Sequence, residues 1–579
     1  MNNKIGFSNF RRFADFPEID LGDITILVGG NNSGKSTIVK ALLLCVDNLI
    51  FMRMDDRRHG DSMSPIAFNK PLFRFDANEF HDVKIKEFAR AIHNKPVDVE
   101  DIDTGSLSII KRKILPTVIK FKFTLGQFGF TFFVSGNRDE RSTTGNIERI
   151  IIEDTKTHVR YENDYLNHSM SYDVINTDYQ EQLSIVKKLM ADYRKAQKAF
   201  EIANEEGNLE AITSGTATLD KMRVQISAML DRDSDEEELS EEETLKIISK
   251  KISVRKPTKA SYEMPLGITF NEVSEPVVLN VISNIHNFAK VKGVAPKFKP
   301  GDDPNIHGAE HQEYELMESY RKAMILDEGI FIQSRRDLKN LLESIKIEYI
   351  SAHAANQNTL YNTADKNDYI AQTVHSFWRE KINPGNREYE FVREWMQKFE
   401  IGIDFKIEPL VPGEAYIVSI KEESGSIVPL ADKGMGSIQM MILLLRLATI
   451  LNRYKHKNLN DSYSCIAPII VIEEPEQNLH PKMQSLLADL FYHLASYEHC
   501  KFLIETHSEY LIRKSQVIVA EEKFVNEGDL NENNKFKIYY LPNDDSIPYD
   551  MKYRIDGKFS NEFGPGFFDE ASNLLFDIL

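Results

Sequence analysis

The chain has 579 residues, of which 42% are hydrophobic and 28% are charged, with a net charge of −18 and three cysteines. This length predicts roughly three to four domain-sized units. No apolar run approaches the ~20 residues that cross a bilayer, and the first residues lack the apolar core of a secretory signal. We therefore expect a cytoplasmic protein without membrane contact. Three widely spaced cysteines argue against a disulfide framework or a zinc site, and the negative charge argues against broad nonspecific binding to nucleic acid.

The first predicted elements are a strand, a glycine-rich loop and a helix. Residues 23–29 form a short β-rich apolar run, and residues 36–50 have helical spacing. The loop between them, GGNNSGKST, satisfies G-x-x-x-x-G-K-[ST], so its N–H groups and the helix N-terminus predict binding of ATP phosphates. Lys35 is predicted to reach the β- and γ-phosphates, and Ser36 to ligate Mg²⁺. The residues predicted to contact the nucleotide are Gly29, Asn31, Asn32, Ser33, Gly34, Lys35, Ser36 and Thr37.

The next segments change from strand-like to helical patterns. TVIKFKFTL and FGFTFFVSG alternate, which predicts an antiparallel sheet with one solvated face. Residues 176–231 predict a helical hairpin, or two helices that pack on the globular body. An acidic run at 231–243 and basic segments at 250–259 and 290–300 are either a solvated linker or contacts to nucleic acid or a partner protein. The two histidines of HGAEH at 307–311 lack a third ligand, which argues against a metal site.

The C-terminal half predicts further buried elements. Residues 331–353 predict a helix followed by a strand, and residues 436–454 predict a strongly apolar helix. The uninterrupted apolar runs within 465–477 and 501–512 predict two buried strands. The sequence thus returns to a core after the helical segment.

Two adjacent carboxylates close the apolar run IIVIEE. Glu473 is predicted to lie near the metal at the strand end, and Glu474 to polarise the attacking water. Paired carboxylates at a strand end are costly unless a cation or charged ligand joins them, which favours a function over packing. His507, placed at the end of the next strand, is predicted to hydrogen-bond the γ-phosphate or its attacking water.

Lys35 and Glu474 lie about 440 residues apart, so a large insertion splits the nucleotide core. The chain resembles the ABC-type ATPases of the SMC and Rad50 class, and most closely the OLD-like ATPases labelled AAA15 or AAA21. The resemblance lies in four motifs in the expected order: NFRRFADFPEIDLGDITILVGGNNSGKST, LADKGMGSIQMMILLL, PIIVIEEPEQNLHPKMQ and FLIETHSEYLIRK. It implies an α/β fold, an ABC/SMC-type P-loop ATPase head split by a large insertion with a short coiled-coil hairpin.

On this resemblance we expect four segments along the chain. Residues 1–140 would hold the first half of the head with its antiparallel β lobe, and residues 141–345 the insertion with the helical hairpin. Residues 346–515 would complete the head, and residues 516–579 would form a tail. Because this tail is too short for a Toprim nuclease and lacks its D-x-D continuation, we expect no nuclease activity in this chain.

The resemblance also implies an ATP site shared by two chains. A signature turn at the N-terminus of a helix would face the γ-phosphate held by the opposite protomer, so a homodimer or higher oligomer would enclose ATP and Mg²⁺. PEQNLHP resembles the loop that crosses between the two sites, with Asn478 and His480 as its predicted polar contacts. No Q-loop glutamine can be assigned. The residues that resemble the ABC signature are Gly434, Gly436, Ser437 and Gln439.

The function implied by the resemblance is an ATP-driven molecular switch. Nuclease-free OLD-like ATPases are similar to the PtuA-like ATPase subunits of Septu-type and retron-associated antiphage systems. In those systems a separate effector, such as an HNH nuclease or a toxin, does the killing. The alternative is a DNA repair or maintenance ATPase that clamps DNA directly, as Rad50 does, through residues 250–300 and with strong salt dependence.

Overall fold

Two compact units make up the chain. The first combines Met1–Ile150, Thr269–Ser283 and Asp327–Leu579, and the second combines Ile151–Ile268 and Asn284–Leu326. The predicted segment boundaries stay predictions. The computed structural model describes residues 3–51, 71–76, 85–102, 109–138, 141–166, 169–174, 259–263, 277–279, 281–282, 331–351, 361–363, 368–411, 413–458, 468–543, 546–565, 567–569 and 574.

Several predictions fall on residues outside these ranges. They include the helical hairpin at 176–231, the acidic run at 231–243 and the HGAEH motif at 307–311. The basic segments at 250–259 and 290–300 are also outside them, apart from Lys259.

A mostly parallel sheet forms the centre of the first unit. Its strand order is β13-β18-β19-β3-β20-β21, and only the β20–β21 pairing is antiparallel. Strand β3 is buried along its whole length, as a nearly continuous apolar run in a parallel sheet requires. The strands of this sheet are β3 (Ile24–Gly29), β13 (Ile347–Ile350), β18 (Ile469–Glu473), β19 (Lys501–Glu505), β20 (Phe536–Leu541) and β21 (Tyr549–Asp550).

An antiparallel sheet forms the second layer of this unit. Its order is β9-β8-β7-β1-β2, with β4 paired to β9. The predicted antiparallel sheet is confirmed, since TVIKFKFTL and FGFTFFVSG form β7 and β8, which pair antiparallel and bury alternate residues. The strands are β1 (Asn3–Phe10), β2 (Phe13–Leu21), β4 (Leu72–Arg74), β7 (Val118–Leu125), β8 (Phe128–Ser135) and β9 (Thr144–Asp154), with a separate pair β5 (Val97–Ile102) and β6 (Ile109–Ile114).

A third sheet lies before the predicted signature turn. It has the order β14-β16-β15, and β17 pairs with β16. Its strands are β14 (Tyr361–Asn362), β15 (Asp404–Val411), β16 (Ala415–Lys421) and β17 (Ile427–Pro429).

In the second unit, β10 (Val159–Asp164), β11 (Ser169–Val174) and β12 (Lys259–Glu263) pair antiparallel in that order.

The predicted helices at 36–50 and 436–454 are confirmed, at Lys35–Phe51 and Met435–Asn458. The predicted helix and strand within 331–353 form α3, at 331–344, and β13. The helices are α1 (Lys35–Phe51), α2 (Phe88–Ala91), α3, α4 (Tyr369–Arg379), α5 (Arg387–Lys398), α6 (Met435–Asn458), α7 (Pro481–Tyr497), α8 (Glu509–Glu521) and α9 (Glu527–Asn533). Cys45 and Cys500 are buried free thiols, and Cys465 lies outside the described residues.

Helix α6 corrects one expectation about membranes. Its segment Met435–Tyr454 has 20 residues and a mean hydropathy of 1.5, so an apolar run of membrane-spanning length does exist. However, 72% of this segment is buried inside the fold. A helix that is buried on all sides in a protein core is apolar all round. Helix α6 is such a helix, and it packs against α4 and α5.

The predicted strand at 501–512 is too long. Strand β19 ends at Glu505, and α8 begins at Glu509. The boundary is set by Ser508, whose hydroxyl accepts a hydrogen bond from Leu511 N at 3.1 Å as an N-cap. His507 therefore lies in the loop between the strand and the helix.

Candidate nucleotide-binding site

The glycine-rich loop connects β3 to α1 at the carboxyl edge of the parallel sheet. Gly34 has φ +105°, and a Cβ there would lie 2.5 Å from the Phe13 ring, so only glycine fits. Arg12 fixes the same loop, since its guanidinium donates hydrogen bonds to Asn32 O and, at 3.2 Å, to Asn543 O. The loop is thus held from outside by the β1–β2 turn.

The predicted phosphate-binding residues differ in exposure. Asn31 and Asn32 are exposed, whereas Ser33, Lys35 and Thr37 are buried. This is the pattern of a loop whose tip faces solvent and whose base begins a helix.

Lys35 lies at the base of this loop. Its side chain is buried, and Nζ donates to Gly29 O and Gly30 O, each at 3.0 Å. Burial lowers the pKa of the amine, which Glu505 and Glu474 oppose. The ammonium group is therefore held at the loop that is predicted to receive the phosphates.

Ser36 meets a carboxylate that the sequence analysis did not select. Its Oγ donates to Glu505 Oε1 at 2.9 Å. Glu505 ends β19 and pairs in register with Glu473 at the end of β18. The available signal was the apolar run FLIE, which ends in an acid as IIVIE does.

Burial raises the pKa of the Glu505 carboxyl to about 7. The hydrogen bond from Ser36 and the charge of Lys35 act in the opposite direction, whereas Glu473 and Glu474 raise the pKa further. An excess of carboxylates therefore faces this part of the loop, as expected where a cation binds.

Glu474 has a strained backbone next to these groups. Its φ of +44° is rare for a residue with a Cβ, and such strain clusters at functional sites. Glu474 Oε2 accepts a hydrogen bond from the Gln477 amide, and Oε1 lies 3.9 Å from His507 Nε2. Burial and the charge of Lys35 lower the pKa of His507, which Glu474 opposes. The two predicted catalytic residues are therefore neighbours.

Glu476 is a second residue that the sequence analysis missed. It is buried, and its Oε1 accepts a hydrogen bond from the backbone N–H of His507 at 2.6 Å. Burial raises the pKa of this carboxyl. Glu476 thus fixes the loop that carries His507.

The predicted signature residues surround the N-terminus of α6. Gly434 is exposed, and a Cβ there would meet no heavy atom of the described residues within 4 Å. Gly436 is close to the 475–481 loop of the same chain, since a Cβ there would lie 2.6 Å from Asn478 O. Asn478 Nδ2 also donates to Gln439 Oε1 at 3.2 Å.

The remaining predicted residues have simpler environments. Ser437 is half-buried in the first turn of α6. His480 is exposed and caps α7, where its Nδ1 accepts from Lys482 N at 3.4 Å. Its predicted contact with a second ATP site stays a prediction.

The donor atoms near Ser36 fit Mg²⁺. Across the described ranges, no three His, Cys, Asp or Glu side chains are grouped closely enough to hold a metal by themselves. Mg²⁺ does not require such a group, because it keeps several waters and binds one or two protein oxygens together with substrate phosphates. The buried Glu505 Oε2 has no hydrogen-bond partner among the described residues, which indicates room for a further charged or polar partner.

Comparison with known families identifies a match over most of the chain. The AAA ATPase domain family (AAA_15) matches residues 1–512. No curated protein matches the chain.

Three solved structures show a weak likeness. They are the Smc head domain of Pyrococcus furiosus, with an extended coiled coil and the C-terminal domain of ScpA, the Smc head domain of Pyrococcus yayanosii, and the SMC head domain of Thermotoga maritima. Their identities are 10%, 10% and 9%, and their TM-scores are 0.28, 0.30 and 0.30. The alignments cover 100%, 100% and 96% of this chain and 99% of each of those chains. No conclusion about the function of this chain follows from TM-scores this low.

Proposed function

The chain belongs to the AAA_15 family of AAA ATPase domains, and we propose that it is a molecular switch in which two chains close head to head on ATP and Mg²⁺. It is an ATPase with a P-loop α/β core. The observation that carries the proposal is the contrast between the loop around Lys35, which is packed within one chain, and the exposed Gly434 at the start of α6. A helix N-terminus with a bare glycine is suited to a phosphate from outside the chain.

Within one chain, different residues bind the phosphates, hold the metal and activate the attacking water. Lys35 binds them, and Ser36 and Glu473 hold Mg²⁺ from the loop and from the end of β18. Mg²⁺ held there would neutralise charge on the phosphate oxygens. Glu474 accepts a proton from the attacking water, and His507, 3.9 Å from Glu474, orients that water.

Closure can be tested with a variant that binds ATP and hydrolyses it slowly. Glu474→Gln keeps the size of the side chain and removes its charge, so we expect ATP and Mg²⁺ to convert this variant into a stable dimer in light scattering. ADP in place of ATP serves as the control and should leave it open. A mass that does not depend on the nucleotide would contradict the switch.

We propose further that this switch is the regulatory ATPase subunit of an antiphage defence system with a separately encoded nuclease or toxin. The support is the resemblance to PtuA-like subunits, which lies in the four motifs named in the sequence analysis. The test compares phage plating on cells that carry the chain with its neighbouring genes, in the wild-type and Lys35→Ala forms. Equal plating on both would contradict an ATP-dependent defence role.

The alternative is an ATPase that clamps DNA directly. It depends on the basic segments at 250–259 and 290–300. A titration of DNA with the purified chain, with and without a nonhydrolysable ATP analogue, separates the two functions. ATP-stimulated, salt-sensitive binding would favour the clamp, and lack of binding at low salt would exclude it.

A further inference from the structure

Glu505 lies between the strand that ends at Glu473 and the strand that leads into the glycine-rich loop. It is the last residue of β19, the strand that lies between β18 and β3. In the parallel ladder it pairs with Glu473 on one side and with Leu27 on the other. Ser36 starts 469 positions earlier in the chain, and the fold brings its Oγ to 2.9 Å from Glu505 Oε1.

The direction of this hydrogen bond prepares the serine for a cation. The Ser36 hydroxyl donates its proton to Glu505 Oε1, which accepts as a carboxylate oxygen does. The lone pairs of Ser36 Oγ then point away from Glu505 and are free to ligate a metal. Partners of this kind orient the ligands of metal sites and raise their basicity.

Among the described residues, one oxygen of Glu505 has no hydrogen-bond partner. The residue is only 5% exposed, and its Oε2 makes no hydrogen bond to any described residue. A buried carboxylate oxygen left in this way is costly unless a cation or a donor compensates it. The nearby ammonium group of Lys35 already donates to Gly29 O and Gly30 O.

We propose that Glu505 is a positioning residue for Mg²⁺, which orients the Ser36 hydroxyl and adds negative charge beside the metal. This inference rests on the proposed Mg²⁺–ATP site. It assigns no contact between Glu505 and the nucleotide. A purely structural role, in which Glu505 only ties α1 to β19, would leave metal affinity unchanged.

Metal affinity is the measurement that separates these roles. Mn²⁺ would be titrated into the full chain with a saturating nonhydrolysable ATP analogue, and free Mn²⁺ followed by electron paramagnetic resonance. We expect Glu505→Ala to weaken Mn²⁺ binding by about 10- to 100-fold, the usual effect of losing such a partner. Glu505→Gln keeps the size but not the charge, and we expect a smaller loss, of several-fold.

Two further variants make the result specific. Asp47→Asn, a buried carboxyl on α1 away from Ser36, is the matched control and should bind Mn²⁺ as the wild type does. Because Glu505 acts in part through Ser36, the double variant Ser36→Ala/Glu505→Ala should lose less Mn²⁺ binding free energy than the two single variants together.

Failure of the positioning role can be distinguished from failure of the proposed Mg²⁺ site. If Ser36→Ala weakens Mn²⁺ binding and both Glu505 variants match the wild type, the positioning role is overturned and the metal site stands. If Ser36→Ala also matches the wild type, the proposed Mg²⁺ site is wrong and Glu505 has no such role. Should Glu505→Ala fail to fold, the isosteric Glu505→Gln decides alone, and an unchanged Mn²⁺ affinity in it overturns the inference.

Discussion

Two regions at the carboxyl edge of the central sheet differ in whether their partners lie within the same chain. The first is the catalytic group, which we define as Lys35, Ser36, Glu474 and His507 together with the positioning residue Glu505. Ser36 hydrogen-bonds Glu505 within the chain, Glu474 lies 3.9 Å from His507, and Lys35 and Glu505 are buried. The second is the signature turn, residues 434–439, where Gly434 faces outward.

This difference predicts which substitutions act within one chain and which act on a neighbouring chain. The catalytic group is positioned by β3, β18 and β19, so its geometry depends on the core of the fold. The signature turn joins the same core through Asn478, which contacts Gly436 and Gln439. Substitutions in the catalytic group should therefore act within one chain, and substitutions in the signature turn should act on a neighbour.

The largest effect is expected at the catalytic carboxylate. Glu474→Gln removes the proton acceptor next to His507, so turnover should fall by about 10²- to 10³-fold with ATP affinity retained. Phosphate release and equilibrium binding of a fluorescent ATP analogue measure the two quantities. Glu394→Gln, an exposed carboxylate paired with Lys398, is the control and should keep normal turnover. Near-normal hydrolysis by Glu474→Gln would place the proton acceptor elsewhere.

The next effect concerns ATP affinity. Lys35→Ala removes a charged donor to the phosphates, which corresponds to about 1.5–3 kcal/mol or about a 10- to 100-fold weaker Kd. Calorimetry of the full chain measures this loss. Lys537→Ala, whose lysine forms an ion pair with Asp20, is the matched control and should bind ATP normally. The assignment of the phosphate loop fails if Lys35→Ala binds as tightly as the control.

A smaller effect is expected at the link between the two regions. Gln439 and Asn478 share one hydrogen bond, so a double-mutant cycle of their alanine variants should give a coupling of about 0.5–1.5 kcal/mol in stability. Urea unfolding of the four proteins provides the cycle. Strict additivity would show that the signature turn and the 475–481 loop are not joined through this pair.

The smallest effect on function is expected outside both regions. Burial raises the pKa of Asp47 from 3.8 to about 7, as it does for Glu505, although Asp47 lies on α1 away from the phosphates. A carboxyl with a raised folded-state pKa costs stability above its unfolded pKa, and the cost is complete above the folded pKa. Asp47→Asn should therefore stabilise the chain by about 4 kcal/mol at pH 8 and not at pH 4, with turnover unchanged. Thermal melts at the two pH values measure it, and equal shifts would contradict a titrating Asp47.

The sequence predicts most of the catalytic group because its residues lie in short, local patterns. Lys35 and Ser36 belong to a loop with fixed spacing, and Glu473 and Glu474 end an apolar run. Glu505 and Glu476 were missed because their roles depend on contacts between distant segments. Glu505 acts on Ser36 across 469 positions, and Glu476 acts on the backbone of His507 across 31.

Errors at element ends have a similar origin. The apolar run before His507 predicts a strand, yet the N-cap at Ser508 starts α8 and ends the sheet pairing at Glu505. The apolar length of α6 resembles that of a membrane span, and only its packing in the core explains that composition. The first outcome is decided by a local cap and the second by tertiary packing, and apolar periodicity contains neither.

The central claim is that the signature turn of one chain completes the catalytic group of another. Lys35→Ala disables the catalytic group, and Ser437→Arg disables the signature turn. Each variant alone should therefore be inactive. In their mixed dimer, one of the two sites has both an intact Lys35 and an intact Ser437. After subunit exchange, phosphate release should recover to about a quarter of the wild-type rate, since half the dimers are mixed and each has one good site. No recovery in an affinity-purified mixed dimer would contradict the composite site.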